Sequence, residues 1–227
     1  MANKTRQQVP SILQSQNVFL FIPNLIGYTR IILAILSLYY MPFSPWTCMG
    51  LYTVSCLLDA VDGNAARYFN QCTKFGVVLD MVTDRSTTSC LLCFLSSAYP
   101  SWRIVFQLLI SLDLSSHYMH MYSTLTAGAS SHKKISESSN RMLRIYYSDN
   151  RVLFAVCAFN ELFFVALYLL SFEGHATFPQ WSLHTLAFVS FPVCVSKQVI
   201  NIIQLVGASQ SLAKVDIEDR KKAAKKI

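Results

Sequence analysis

Charged residues are scarce in this chain of 227 residues: Asp, Glu, Lys and Arg make up 14% of it, whereas 53% is apolar. The apolar residues are gathered into runs of about 20. That is the length at which a helix rising about 1.5 Å per residue crosses a hydrocarbon core of about 30 Å. This composition is typical of a membrane protein and leaves no room for a separate soluble domain.

Several other features are missing. The first 16 residues contain no short apolar stretch ending in small residues, so we expect no cleaved signal peptide. Seven cysteines, an odd number without framework spacing, argue against a disulfide scaffold. The CxxC of Cys90 and Cys93 has no second pair, so we interpret it as a packing feature rather than a zinc site. The net charge of +7 comes without a basic stripe interleaved with aromatics, and we therefore expect no nucleic-acid partner.

Six apolar runs separated by polar breaks predict an all-α, polytopic membrane bundle of about six transmembrane helices. The predicted spans are Phe21–Tyr40, Trp46–Ala66, Phe75–Tyr99, Ile104–Tyr122, Val152–Ser171 and Leu183–Val206. We accordingly divide the chain into an N-terminal cytosolic segment (1–20), a membrane domain (21–206) and a basic cytosolic tail (207–227). The tail alternates in charge before it becomes Lys-rich, and we expect a solvated helix near anionic lipid.

The distribution of basic residues predicts the orientation in the membrane. If both termini lie on one side, 15 of the 19 Lys and Arg residues lie on that side, and only Arg103 lies in the opposite loops. Because basic loops remain in the cytosol, both termini are predicted to be cytosolic.

Four aspartates fall on the two helices that flank the first cytosolic turn. Helix positions three or four apart share a face, so Asp59 pairs with Asp62, and Asp80 pairs with Asp84. The connection between the helices is short. We therefore predict that the helices are antiparallel neighbours and that both pairs lie at the same depth and face each other.

Ionised carboxylates cost roughly 2.5–3.5 kcal/mol each at the bilayer centre, so four of them require compensation. Arg67 and Lys74 cannot neutralise four acids, whereas one or two divalent cations can. Oxygen-only ligands favour Mg²⁺ or Mn²⁺. Beside the acids, Gly63 leaves space for a phosphate, Arg67 can hold a phosphate oxygen, and Thr73 offers a hydroxyl. Gly76 is expected to let the two helices close.

The pattern Asp59-x2-Asp62-Gly63-x2-Ala66-Arg67-x8-Gly76-x3-Asp80-x3-Asp84 resembles the signature of the CDP-alcohol phosphotransferases at all eight fixed positions. Further segments resemble the eukaryotic members that use inositol, the phosphatidylinositol synthases, from about Asn17 to the tail. These segments are Pro23–Arg30, Ser115–His120, Leu143–Tyr147 and Asn160–Phe163.

The resemblance implies a transfer of the phosphatidyl group from CDP-diacylglycerol to myo-inositol, with release of CMP, at a site that holds two Mg²⁺ or Mn²⁺ ions. It also implies that Asp59 and Asp80 bridge both ions, that Asp62 binds one ion, and that Asp84 binds the other and is the catalytic proton acceptor. Substrate contacts are implied for Gly63, Arg67 and Thr73. A homodimer in the endoplasmic reticulum membrane, with its active site facing the cytosol and its substrate chains in membrane lipid, is the expected setting.

Other polar residues at membrane depth are open to two interpretations. Asn24 and Arg30 could serve a nucleotide phosphate or an intramembrane salt bridge. Asp113, His117 and His120 could line an inositol pocket, but mutual hydrogen bonding within the bundle is the interpretation that we favour. The remaining ambiguous residues are Asn160, Glu161 and Lys197 within spans, and Arg144 and Arg151 at the cytosolic side.

Three other functions compete with inositol transfer. The first is the same chemistry with another acceptor: glycerol phosphate, serine, choline or ethanolamine. The second is a divalent-cation carrier or channel, which the phosphate-suited Gly63 and the cationic Arg67 disfavour. The third is an inactive paralogue with a structural role, against which the intact aspartates argue.

Overall fold

The computed structural model describes residues 17–127, 150–172 and 179–225, and over these ranges it contains six α-helices and no β-strand. The helices are α1 (Ile22–Tyr40), α2 (Pro45–Tyr68), α3 (Lys74–Ala98), α4 (Arg103–Ala127), α5 (Asn150–Leu170) and α6 (Gln180–Ala224). Each predicted apolar run overlaps one of them. The predicted all-α architecture with six helices is therefore confirmed.

Prolines lie at the starts of α1 and α2, and an asparagine lies in the turn that follows α2. Pro23 and Pro45 lie in the first turns of α1 and α2, where a missing N–H removes no helical hydrogen bond. After α2, Asn70 adopts a φ of 53°, a left-handed conformation that asparagine tolerates better than most residues. The chain consequently reverses between Tyr68 and Lys74.

The chain divides at Thr87 into two compact units. In the first unit, α1 packs along α2 through small polar side chains: Ser37 Oγ donates to the Cys48 carbonyl oxygen at 3.1 Å, and Ser55 Oγ donates to that of Arg30 at 3.2 Å. Small residues allow helix backbones to approach closely. In addition, Gln71 Oε1 accepts a hydrogen bond from the backbone N–H of Ile22 at 3.0 Å, which ties the α2–α3 turn to the start of α1.

In the second unit, α6 packs against α4 and α5, and the later part of α3 contributes core residues. Tyr99 donates its hydroxyl hydrogen to the carbonyl oxygen of Leu167 at 2.8 Å, which joins the end of α3 to α5. The buried apolar side chains of α3 and α5 in this unit are Leu91, Leu92, Leu95, Phe164, Val165, Ala166, Tyr168 and Leu169.

Three helices of the described chain, α1, α5 and α6, are long and apolar enough to cross a membrane. Many large apolar side chains on the helices are exposed, among them Ile35, Phe154 and Phe188. Extensive apolar exposure of this kind suits contact with lipid. The chain is therefore a membrane protein. Helices α2 to α4 are of similar length but carry more polar residues, and their insertion as spans, like the sidedness of the termini, stays a prediction.

Helix α6 is much longer than a membrane span. Its 45 residues extend about 68 Å, more than twice the hydrocarbon thickness of about 30 Å. It passes residue 206 without interruption, and most side chains beyond Leu212 are exposed. The basic tail is thus a helix as far as Ala224, as predicted.

Candidate active site and metal centre

Four aspartates of the first unit converge, two from the C-terminal part of α2 and two from α3. Carboxylate oxygens of Asp59, Asp62 and Asp80 lie within 4.8 Å of one another, which would allow one metal ion to bind them together. Asp84 lies one turn further along α3 than Asp80 and contacts the same guanidinium group, that of Arg30. The predicted convergence of the two acidic pairs is confirmed.

Arg30 of α1 lies at the centre of this cluster. Its Nη1 atom is 2.7 Å from Asp62 Oδ2 and 2.6 Å from Asp80 Oδ1. Its Nη2 atom is 2.6 Å from Asp59 Oδ1 and 2.5 Å from Asp84 Oδ1. Each terminal nitrogen therefore joins one acid of α2 to one acid of α3.

The cluster is buried on the side of α1 and open on the other. The Arg30 side chain is 2% exposed and that of Asp62 11%, whereas the side chains of Asp59 and Asp80 are 40% and 47% exposed. An ion or a substrate phosphate can therefore approach through Asp59 and Asp80.

The charges of this cluster do not balance within it. Four ionised carboxylates and one guanidinium sum to −3, and a further cation of the described residues, Arg85, has its Nη2 atom 3.6 Å from Asp84 Oδ2. Closely spaced acidic oxygens without nitrogen or sulfur donors are the ligands that Mg²⁺ and Mn²⁺ prefer. The donor set thus fits divalent metal ions.

Comparison with known proteins agrees with this geometry. A family model described as CDP-alcohol phosphatidyltransferase matches residues 20–192. The chain belongs to this family.

Curated relatives extend the match over nearly the whole chain. A Schizosaccharomyces pombe protein is 54% identical and covers 93% of this chain and 96% of its own length. A Saccharomyces cerevisiae protein is 48% identical over 92% of this chain and 94% of its own length, and a human protein is 45% identical over 92% and 99%. All three are named CDP-diacylglycerol–inositol 3-phosphatidyltransferase. No solved structure is significantly similar to this chain.

Gly63 and Arg67 lie beside the acids on α2. Among the described residues, a Cβ atom built at Gly63 would meet no more than the Arg67 guanidinium nitrogens, both at 3.8 Å, so this glycine borders open space. Arg67 is exposed, and its Nη2 atom donates to Asn64 Oδ1 at 2.8 Å. Its guanidinium is therefore directed along α2 rather than into the acidic cluster.

Thr73 and Gly76 form the start of α3. The Oγ1 atom of Thr73 accepts a hydrogen bond from the Gly76 backbone N–H at 3.0 Å and so caps the helix. Gly76 itself faces Asn24 of α1, because a Cβ atom there would lie 2.9 Å from Asn24 Oδ1. The expectation that Gly76 lets α2 and α3 close is corrected in one respect: the close approach is to α1.

Arg30 forms salt bridges, which was one of the two predicted interpretations of this residue. Its partners are the four acids, beside which the sequence indicates only Arg67 and Lys74 as nearby cations. The topology contained the missing signal. Arg30 lies eight residues, about 12 Å, after the start of α1. Asp62 lies six residues before the end of α2 and Asp80 six residues after the start of α3, each about 9 Å from the α2–α3 turn. That turn is on the same side as the start of α1.

The other polar residues that were predicted at membrane depth form hydrogen bonds within and between helices of the second unit. Asn201 of α6 donates to Asp113 Oδ1 at 3.3 Å and accepts from Lys197 Nζ at 2.8 Å, and Asp113 Oδ1 is also 3.4 Å from His117 Nδ1. Elsewhere in the unit, Thr88 donates to Glu161 at 2.9 Å.

Gln198 likewise donates to Asn160, at 3.1 Å. The favoured interpretation, mutual bonding within the bundle, agrees with these contacts. Arg151 lies exposed in the first turn of α5, and Arg144 falls outside the described residues.

Proposed function

We propose that this protein transfers the phosphatidyl group of CDP-diacylglycerol to myo-inositol and releases CMP. The observation that carries the proposal is the convergence of four aspartates from α2 and α3 on a single cation position. The inositol acceptor is supported by the curated relatives, whose names specify that reaction and which match this chain over more than nine-tenths of its length.

Asp59, Asp62, Asp80 and Asp84 would hold two Mg²⁺ or Mn²⁺ ions, with Asp59 and Asp80 shared between them. When bound, such ions neutralise the diphosphate and stabilise charge on the attacking and leaving oxygens of an in-line displacement. The 40% and 47% exposure of the two shared acids supports their role at the open face of the site.

The chain's own residues would position the reactants. Asp84 orients an inositol hydroxyl and accepts its proton as the new oxygen–phosphorus bond forms. The bond between this phosphorus and the oxygen of CMP breaks, and CMP leaves with the electron pair. Arg67 binds a phosphate oxygen across the space at Gly63, and Thr73, whose oxygen caps α3, can still donate its own hydroxyl hydrogen to the substrate.

The proposed setting is the endoplasmic reticulum membrane, with the active site facing the cytosol and the acyl chains of the substrate in lipid. The concentration of basic residues in the loops on one side supports this orientation, since basic loops remain cytosolic. A cytosolic opening would admit inositol and release CMP without carrying either across the membrane. We also propose a homodimer, on the basis of family resemblance.

Incorporation of radiolabelled inositol into lipid by the purified, detergent-solubilised protein tests the proposal. We expect lipid product that requires CDP-diacylglycerol, disappears with chelator and returns when excess Mg²⁺ or Mn²⁺ is added. CMP should appear in equal amount.

An acceptor panel in the same assay separates this function from its competitors. Glycerol phosphate, serine, choline and ethanolamine should each give far less CMP than inositol. CMP release with one of these and not with inositol would replace the acceptor. Metal flux in liposomes without CMP production from any acceptor would instead indicate a cation carrier.

A further inference from the structure

The guanidinium of Arg30 contacts carboxylate oxygens of the same four aspartates that would bind the two proposed metal ions. Its Nη1 atom contacts Asp62, the acid assigned to one ion, and its Nη2 atom contacts Asp84, the acid assigned to the other. The shared acids are divided in the same way, with Asp80 on Nη1 and Asp59 on Nη2. The two terminal nitrogens of one side chain thus stand in for two cations.

The net charge of the site changes from negative to positive when two divalent ions bind. Without them, four carboxylates share the Arg30 guanidinium, and the cluster stays net negative even with Arg85 Nη2 3.6 Å from Asp84 Oδ2. Two divalent ions match the four carboxylates, and the Arg30 charge is then in excess. Because this side chain is only 2% exposed, its charge cannot be left to solvent and requires a new anionic partner.

The hydrogen bonds of Arg30 also fall short of what its guanidinium can make. All four contacts with the aspartates use Nη1 and Nη2, and the buried Nε atom has no hydrogen-bond partner among the described residues. A buried donor without a partner is unfavourable. A diphosphate offers paired oxygens to which a guanidinium can donate in a bidentate manner.

We infer that Arg30 is a displaceable counter-ion of the metal centre. It holds the four carboxylates together while ions are absent, competes with the ions for the same oxygens, and gives up those oxygens when ions bind. Its guanidinium is then available to the diphosphate of the CDP-linked lipid. This inference rests on the proposed function only in assuming that the aspartates bind divalent ions.

Manganese titration of the purified full-length protein, without substrate, tests the competition. Free Mn²⁺ is measured by electron paramagnetic resonance for the wild type and for Arg30→Met, which keeps a long apolar side chain without the charge. We expect Arg30→Met to bind Mn²⁺ about tenfold more tightly or better, the factor that corresponds to about 1.4 kcal/mol. Arg103→Met, which removes an exposed cation at the start of α4, should bind Mn²⁺ as the wild type does.

Thermal unfolding gives a second measurement that does not depend on activity. In chelator, Arg30→Met should unfold at a lower temperature than the wild type, because four carboxylates then lack their cation. Saturating Mn²⁺ should remove most of that difference. Arg30→Lys keeps the charge but cannot bridge both pairs of acids, so its Mn²⁺ affinity should lie between those of the wild type and Arg30→Met. If Arg30→Met does not fold without metal, Arg30→Lys should still bind Mn²⁺ more tightly than the wild type.

Two results would overturn the inference. If the wild type binds Mn²⁺ and neither Arg30 variant binds it more tightly, Arg30 does not compete with the ions. Equal loss of stability with and without Mn²⁺ would make Arg30 a purely structural residue. If the wild type itself binds no Mn²⁺, the proposed metal site is wrong and the inference fails with it. Mn²⁺ binding by the wild type therefore distinguishes a failure of the inference alone from a failure of the proposed function.

Discussion

Gly76 of α3 lies so close to Asn24 of α1 that a Cβ atom at Gly76 would stand 2.9 Å from Asn24 Oδ1. Asn24 has little freedom to move, because it is buried and its Nδ2 atom donates to the carbonyl oxygen of Val18 at 2.6 Å. This contact sets how closely α3 approaches α1. Asp80 lies one turn beyond Gly76, so the same contact fixes the position of an acid relative to Arg30.

Gly76→Ala should therefore destabilise the protein and weaken the site. Overpacking of this kind typically costs about 1–3 kcal/mol, and displacement of a catalytic group by about 1 Å can lower turnover about a hundredfold. Thermal unfolding and inositol incorporation measure the two effects. Gly50→Ala in α2 is the matched control, because a Cβ atom there meets no atom of the described chain within 4 Å. Equal behaviour of the two variants would contradict the packing argument.

Asp84→Asn removes the proposed proton acceptor while it keeps the size of the side chain. We expect inositol incorporation to fall about 10²- to 10⁴-fold, the usual contribution of general acid–base catalysis. Asp219→Asn changes an exposed acid near the end of α6 and should leave incorporation unchanged. Wild-type turnover by Asp84→Asn would rule out the role assigned to this carboxylate.

Asn201→Leu tests the polar network of the second unit. Asn201 is 1% exposed and bonds both Asp113 of α4 and Lys197 of its own helix, so its loss removes hydrogen bonds from two buried charged groups. We expect a loss of about 1–3 kcal/mol in the free energy of unfolding, seen as a lower melting temperature in detergent. Gln210→Leu, at an exposed position of α6, should change the melting temperature little. A stable Asn201→Leu protein would show that the network does not hold α4 to α6.

The predicted sidedness can be tested with cysteine labelling. Cys72 lies exposed in the turn between α2 and α3. In sealed microsomes with the cytosolic face outward, a variant that keeps only Cys72 should react with a membrane-impermeant maleimide. A variant whose single cysteine comes from Ser101→Cys, between α3 and α4, should react only after permeabilisation. The reverse pattern would place the active site on the other side of the membrane.

Much of the fold could be predicted because the membrane thickness sets the length of a spanning helix, and therefore the length of each apolar run. The predicted run Trp46–Ala66 corresponds to α2 at Pro45–Tyr68, for example. The run that ends at Val206 underestimates α6, which continues to Ala224. Helix formation does not require apolar residues, and Ala, Lys and Glu sustain it in water after the apolar pattern stops.

The acidic cluster could be predicted because spacing on a helix fixes which side chains share a face. A salt bridge was one of the two interpretations of Arg30, and its contacts with the four acids agree with it. Which acids it contacts could not be predicted, because a single arginine in an apolar run has no periodic partner to show where it points. The contact of Gly76 with Asn24 was also not predicted, since local sequence gives no distance between α1 and α3.

Anomalous scattering from manganese tests the central claim most directly, in crystals of the full chain grown with Mn²⁺ and CDP-diacylglycerol. The account predicts two peaks among the carboxylates of Asp59, Asp62, Asp80 and Asp84, with the Arg30 guanidinium withdrawn from them. Crystals that contain the nucleotide lipid but show no manganese peak among these four carboxylates would contradict it.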